Sequence, residues 1–525
     1  MEKALKMGKV SATGSFHLLV GKAASTVIMA VGTIVLTRIM LPEEYGLYSI
    51  ALIPSLMISL FQDWGAGSAL TKYIAHFRAT NNDDDIHDVI TAGLTFEIIT
   101  GLTLSFLSLF LASFFASTIL HRPELTPLIS IASITIFSGS LLTASQSSFI
   151  GFEKMQFNSL IMICQSIIKS LATPLLVFVG YEALGAVLGY TFSFLVAGVI
   201  GLIMLYFILL RNRRRTKTNK TKTFKTLKTM LHYGVPLSIS SILTGFRTQF
   251  YSFMMAFFCS DILIGNYQAA TNFAVLLTFF TFPISTVLFP AFAKLDPQNE
   301  RQLLKNVFAA SVKYTALFLV PATMAVMVLS KPMIGTLFGG KWIYAPFFLT
   351  LYVINNLFVV FGGTIMGSFL TGLGETKMLM KLGILTMSFG LPLAFLLIST
   401  LGVTGVILGS IFAGLPSLFL GLRWIWKRYQ AKADFVSSTR IFIASAIAAT
   451  TTYLSLNLLN VADWIELAIG GIIFLAAYVL AAPVIGAINQ SDINNLRTVL
   501  SGLGIISKLM NIPLMIAEKA SEFIT

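Results

Sequence analysis

Residues 1–210 of this 525-residue chain are echoed, faintly but in register, further along the same chain. Gly46-Leu47-Tyr48 recurs as Gly265-Asn266-Tyr267, an offset of 219. Ser148-Phe149-Ile150-Gly151 recurs as Ser368-Phe369-Leu370-Thr371-Gly372, an offset of 220 to 221. The glycines of Gly185-Ala186-Val187-Leu188-Gly189 return in Gly405-Val406-Ile407-Leu408-Gly409, an offset of 220. One such match carries little weight in an apolar chain. Three at nearly one offset indicate a duplicated unit, and that unit decides the architecture.

The chain is 56% hydrophobic and only 11% charged. A soluble domain carries roughly 25% charged residues, so the composition is that of an integral membrane protein. Apolar runs of about 18 to 25 residues, each long enough to cross a bilayer, follow one another from end to end. Period-2 patterning is absent, so helices must span the membrane, because every backbone group has to be satisfied inside lipid. The sequence therefore predicts an all-α integral membrane protein of about fourteen transmembrane helices. The spans run roughly over 15–40, 46–73, 89–119, 125–150, 157–180, 183–210, 234–259, 264–290, 307–329, 345–371, 378–400, 402–424, 441–459 and 464–488. Residues 1–210 form the expected first lobe and 234–424 the second. A basic cytoplasmic linker (211–233) joins them, two added spans occupy 425–488, and 489–525 is read as an amphipathic tail on the cytoplasmic face.

Charge asymmetry supplies the orientation. With the amino terminus in the cytoplasm, Lys3, Lys6, Lys9, the Arg211–Lys228 stretch, Lys294, Arg301, Lys305, Arg423, Lys427, Arg428, Lys432, Arg440, Arg497, Lys508 and Lys519 all fall inside. Only Arg38, Arg122, Lys331 and Lys341 fall outside, as the positive-inside rule requires. The net charge of +14 is thereby assigned to topology and anionic headgroups, not to nucleic acid. Because each lobe has an even number of spans, the two enter the membrane the same way round. They form a parallel repeat, with a site expected between them near the midplane. Cys164 and Cys259 both lie in apolar runs with no redox motif, and the five histidines lack ligand spacing. No metal site is expected. No phosphate loop or paired acidic motif for an enzyme is present.

Charges inside spans are expensive and normally face a cavity or a partner. Lys22, Lys169 and Arg247 lie well within spans one, five and seven. Together they suggest a pocket for negative charge, above all phosphate, which Arg247 can bind bidentately. The alternative is that each pairs with a carboxylate or snorkels. Arg38, just before the first outer turn, is either a ligand or a salt-bridge partner of Glu43 or Glu44. Lys313, a turn or two into span nine, is placed to snorkel. Asp63, in Gln62-Asp63-Trp64-Gly65, interrupts span two, and Glu97 lies inside span three. These embedded acids are either partners of a buried cation or carboxylates that bind a coupling ion.

Several segments resemble one family. Leu36-Thr37-Arg38-Ile39-Met40-Leu41-Pro42-Glu43-Glu44-Tyr45-Gly46-Leu47-Tyr48 closely resembles the first-loop motif of the polysaccharide transporters, the Wzx-type oligosaccharide flippases. Phe149-Ile150-Gly151-Phe152-Glu153-Lys154, Tyr233-Gly234-Val235-Pro236-Leu237 and Gly265-Asn266-Tyr267-Gln268-Ala269-Ala270 are similar to later landmarks of the family. So are Phe338-Gly339-Gly340-Lys341-Trp342 and Gly372-Leu373-Gly374-Glu375-Thr376-Lys377. The resemblance spans roughly residues 10 to 425, in a superfamily that also holds MATE exporters and MurJ-type lipid II flippases. It implies a V-shaped, two-lobed, non-enzymatic transporter in the plasma or inner membrane, with both termini cytoplasmic. The implied substrate is a lipid-linked oligosaccharide on a polyprenyl phosphate or diphosphate. Membrane lipids, and a glycan polymerase or glycosyltransferases, are the implied partners. No cofactor is implied beyond a coupling ion, Na+ or H+. A MATE-like drug exporter, a lipid II flippase and a membrane enzyme of glycan assembly are the alternatives.

Overall fold

Leu41 leaves the first helix with an extended backbone (φ −74°, ψ 153°), and Pro42 takes the first position of the next, where its missing N–H is not needed. Glu43 and Glu44 follow in the first turn, where carboxylates complement the positive end of the helix dipole. The computed structural model describes residues 2–80, 82–211, 220–277, 288, 292–459, 461–500, 515 and 518, and every regular element among them is helical. Contacts divide the chain into two compact units, Met1–Gln268 and Ala269–Thr525.

The first unit contains α1 (Glu2–Ile39), α2 (Pro42–Ser59), α3 (Ala66–Ala79), α4 (Asp83–Phe110), α5 (Thr126–Gly151), α6 (Met155–Leu176), α7 (Glu182–Leu205), α8 (Lys220–Phe258) and the start of α9 (Asp261–Ala274). Lipid tails are as apolar as side chains, so helices associate through close packing of small residues rather than through burial as such. The α1–α6 seam shows this. A Cβ on Gly21 would lie 2.3 Å from the Ser159 Cβ, and one on Gly32 2.4 Å from the Ser170 Cβ. The Ser159 hydroxyl donates to the His17 carbonyl (2.8 Å) and the Ser170 hydroxyl to that of Ile28 (2.9 Å). Leu70, Ile74, Ile90, Phe149, Ile161 and Leu205 fill the interior where α3 to α7 meet. Residues 220–233, expected in a linker, are instead the first turns of α8; Met230 is buried against that same core, which draws the helix out.

The sequence echo has a backbone counterpart. Between α6 and α7, Glu182 adopts φ 46°, ψ −132°. Gly402, its counterpart at the offset of 220, adopts φ 56°, ψ −135° and folds the long helix Thr376–Tyr429 back on itself in the same way. In each hairpin the glycines that follow the turn face the preceding helix at backbone distance. A Cβ on Gly189 would sit 2.5 Å from the Thr173 Cα, and one on Gly409 3.2 Å from the Ala394 Cα. Glu153 and Gly374, at an offset of 221, likewise share positive φ (57° and 75°). The second copy uses glycine at both turns, where it carries no steric penalty, whereas glutamate in such backbone is strained by about 1–3 kcal/mol. Glu182→Gly is accordingly expected to stabilise the protein by about 1 kcal/mol, read as a raised melting temperature of the purified protein.

The second unit continues with α10 (Arg301–Val328), α11 (Ser330–Phe338), α12 (Ala345–Val353), α13 (Gly363–Gly372), α14 (Thr376–Tyr429), α15 (Phe435–Asn457), α16 (Asp463–Val484) and α17 (Gln490–Leu500). A 57° bend at Gly362 (φ 95°) separates residues 345–361 from α13. Lys313 does not snorkel. It donates to Asp492 of α17 at 2.6 Å, and the Tyr314 hydroxyl donates to the other Asp492 oxygen at 3.3 Å. The backbone N–H of Asn489 adds a third donor at 3.0 Å, so the carboxylate, 4% exposed, is fully satisfied. The expected tail thus begins as a helix pinned to α10; its apolar residues Leu503, Ile506 and Leu509 lie outside the described residues.

Seven described helical segments are each long and apolar enough to cross a membrane, or eight if the bent pair is one span. Two of the seven, 155–210 and 376–429, are the hairpins just described, so each supplies two crossing segments. Large apolar side chains stand out from the helices, among them Phe110 (85% exposed) and Phe178 (77%), as suits a surface in contact with lipid. The protein is an all-α, multi-pass membrane protein.

Candidate functional site

Helix α8 is held against the end of α2 by glycine contacts. Gly65 and Gly234 meet backbone to backbone: a Cβ on either would fall within 2.4 Å of the other's carbonyl oxygen. One on Gly245 would lie 2.4 Å from the Leu60 Cδ2. Arg247 follows two residues later, about 200° around the helix, so it lies on the face turned away from α2. It is half-buried, and among the described residues no carboxylate pairs with it. One turn further on, Tyr251 lies within its electrostatic reach, with a buried hydroxyl that has no hydrogen-bond partner. A guanidinium and a phenol at i and i+4, both with unused donors, present a ready-made anion-binding face.

The other embedded cations are dispersed. Among the described residues Lys169 of α6 has no carboxylate partner; its Nζ lies 4.7 Å from the centroid of the Tyr190 ring on α7, a cation–π contact. Tyr190 continues into a line of aromatics through Tyr48, at 6.4 Å, and Tyr45. Lys22 is exposed on α1, one residue off the α1–α6 seam. Arg38 is exposed in the last turn of α1, where its charge complements the helix dipole. Glu44 accepts from the backbone N–H of Ala183 (3.1 Å), tying the first outer turn to the α6–α7 hairpin.

The two embedded acids do come together. The second span breaks after Ser59, and Trp64 (φ 45°) and Gly65 (φ 78°) turn the chain into α3. Asp63 caps the new helix, one of its oxygens accepting from the Gly67 N–H at 2.6 Å. Glu97 of α4 is completely buried, neither of its oxygens has a hydrogen-bond partner, and Asp63 and Gln62 are the side chains that act on it. In the amide orientation that satisfies both its ends, Gln62 is tied to α5, donating to the Ile136 carbonyl (3.0 Å) and accepting from the Ser140 N–H (2.8 Å). Among the described residues neither acid meets a cation.

Two further features escaped sequence reading. Gly46 and Gly265, the echoed glycines, cross face to face: a Cβ on Gly46 would lie 2.1 Å from the Asp261 carbonyl oxygen, and one on Gly265 1.9 Å from that of Pro42. Beside this crossing Arg122 forms an ion pair with Asp261 and donates to the Cys259 carbonyl (3.1 Å). Burial raises the Asp261 carboxyl, an effect the Arg122 charge opposes. Both pairings join residues more than 130 positions apart, and no local pattern announces them.

A family model described as polysaccharide biosynthesis protein matches residues 11–296, more than half of the chain. The chain belongs to that family. Among curated relatives, the lipopolysaccharide biosynthesis protein WzxC of Escherichia coli (strain K12) is 25% identical over 409 residues, 76% of this chain and 77% of that one. Among solved structures, the lipid II flippase MurJ in an inward closed conformation matches with a TM-score of 0.72 at 15% identity, covering 89% of this chain and 98% of that one. An inward-facing multidrug resistance MATE family transporter of the MOP superfamily matches with a TM-score of 0.64 at 17% identity, over 77% and 94%. The fold of this member of the polysaccharide biosynthesis family is therefore that of the MATE and MurJ transporters.

Proposed function

We propose that this chain is a flippase that carries an oligosaccharide linked to a polyprenyl phosphate or diphosphate from the cytoplasmic to the outer leaflet by alternating access. Family membership supports transport of a lipid-linked glycan, and the structural neighbour MurJ is named as a lipid II flippase. The observation that carries the substrate class is Arg247, a half-buried guanidinium in mid-helix whose charge no carboxylate meets among the described residues. Such a group normally faces a water-filled cavity or a partner and marks a substrate path. Phosphate on a lipid headgroup meets that need, and a cationic drug does not. Lys22, exposed on α1, and Lys169, set against Tyr190, add positive charge elsewhere in the first unit and are secondary candidates for contact with the anionic substrate. Arg38 has a structural explanation at the end of α1. The excess of basic residues in the assigned inner segments supports cytoplasmic termini in the inner membrane. Asp63 and Glu97 are the carboxyls positioned to bind a coupling ion.

Loss of the protein should accumulate lipid-linked glycan on the cytoplasmic leaflet, measured by accessibility to an impermeant sugar-modifying enzyme in inverted vesicles. Arg247→Ala, at native abundance, should cut export by about 10- to 100-fold, the equivalent of a lost charge-assisted hydrogen bond of about 1.5–3 kcal/mol. Normal export by that variant would remove Arg247 from the site. Altered drug resistance with no glycan defect would replace the flippase with a drug exporter.

A further inference from the structure

We propose that Asp63 and Glu97 form a proton-binding site that joins the break in the second span to α8, so that binding and release of one proton drive the transport cycle; this rests on the transporter reading above. The Glu97 carboxyl is wholly buried and makes no hydrogen bond, an arrangement an ionised carboxylate does not tolerate. The two acids are not equivalent. Asp63 has the Gly67 N–H and the amino-terminal end of α3 to hold its charge. Glu97 has neither, so the proton of the pair resides on Glu97, with Asp63 the charged acid that acts on it.

Among the described residues no charge other than Asp63 acts on Glu97. Helix α5 carries no ionisable side chain between Thr126 and Gly151. On α3, Lys72 is held over the Tyr233 ring of α8, 3.6 Å from its centroid. Arg247 of α8 and the acidic first turn of α4 (Asp83 to Asp85, and Asp88) do not act on Glu97.

The mechanical link is the Gly65–Gly234 contact. The break that positions Asp63 ends at Gly65, whose backbone is packed directly on α8, the helix that carries Arg247. When Glu97 gives its proton to water, the pair goes from one negative charge to two in a dry site. The two carboxylates then repel, and relief requires the break to open and admit water, which moves Gly65 against Gly234. Uptake of the proton restores the packed arrangement.

The test uses the full chain in lipid nanodiscs, with protons as the only ligand. Infrared spectra at pH 7 should contain the carbonyl band of a protonated carboxyl, lost in Glu97→Gln and shifted in Asp63→Asn. In cells, Glu97→Gln should lower export by more than about tenfold, an ordinary coupling factor, with unchanged abundance and melting temperature. Superimposable wild-type and Glu97→Gln spectra would mean that Glu97 is charged and would overturn the site. A band that disappears while the variant still exports normally would overturn its role in coupling. A band present in a chain that rescues no glycan-export mutant would leave the proton site standing and sink the flippase reading instead.

Discussion

Gly265→Val is expected to abolish export and to lower the melting temperature of the purified protein. At this position even the first side-chain carbon would lie 1.9 Å from the Pro42 carbonyl oxygen, which is backbone and cannot rotate away. Overpacking a well-packed site costs about 1–3 kcal/mol when side chains can yield, and here they cannot. Gly46→Val should behave alike, because its Cβ would meet the Asp261 carbonyl oxygen at 2.1 Å. Gly383 provides the control: it lies within α14 with nothing within 4 Å of a built Cβ, so Gly383→Ala should be neutral or stabilising. If Gly265→Val keeps wild-type export and thermal stability, the crossing of α2 and α9 is not part of the working protein.

The second large effect is expected at Asp492. Its carboxylate is 4% exposed and takes donors from Lys313, Tyr314 and Asn489. Asp492→Ala takes from the half-buried Lys313 ammonium its hydrogen-bonded counter-charge and leaves only Asp434 within electrostatic reach, a loss of about 3 kcal/mol. The double variant Lys313→Met with Asp492→Leu removes both charges and should recover most of that loss, since an apolar pair of similar volume often replaces a buried ion pair without penalty. Thermal unfolding of the wild type, Lys313→Met, Asp492→Leu and the double variant reads the interaction directly. A single Asp492→Ala substitution that leaves the melting temperature unchanged would show that α17 is not pinned through this pair.

Patterns that repeat along the chain are legible in the sequence. Apolar runs mark the helices, and the echoed glycines at an offset of 220 fall just after the paired turns at Glu182 and Gly402. Asp63 marks the interruption of the second span, and the helix does break there. Pairings across the fold are not legible, because the rotation of one span about its axis relative to another leaves no trace in a single sequence. Lys313 and Asp492 are 179 residues apart, and nothing near Lys313 announces a partner. From sequence Glu97 is either the partner of a buried cation or a carboxylate that binds a coupling ion, and what α4 brings it to is another acid, Asp63. Lys169 reads as a residue facing an anion; what lies against it is a tyrosine ring, a contact that spacing within α6 does not reveal.

The π-helical turn at Val177–Tyr181 bears on how the two copies diverged. Between Gly151 and the turn, equivalent positions stand at an offset of 221, as at Glu153 and Gly374; downstream the offset is 220, as at Glu182 and Gly402. The first copy therefore holds one residue more between Leu176 and Glu182 than the second holds between Leu397 and Gly402. The extra residue is taken up at the end of α6, where Gly180 adopts a left-handed φ of 101° before the turn at Glu182. The length change thus postdates the duplication and was absorbed locally, without disturbing the hairpin geometry on either side. The ancestor of both halves carried the turn, and only one descendant carries the extra residue.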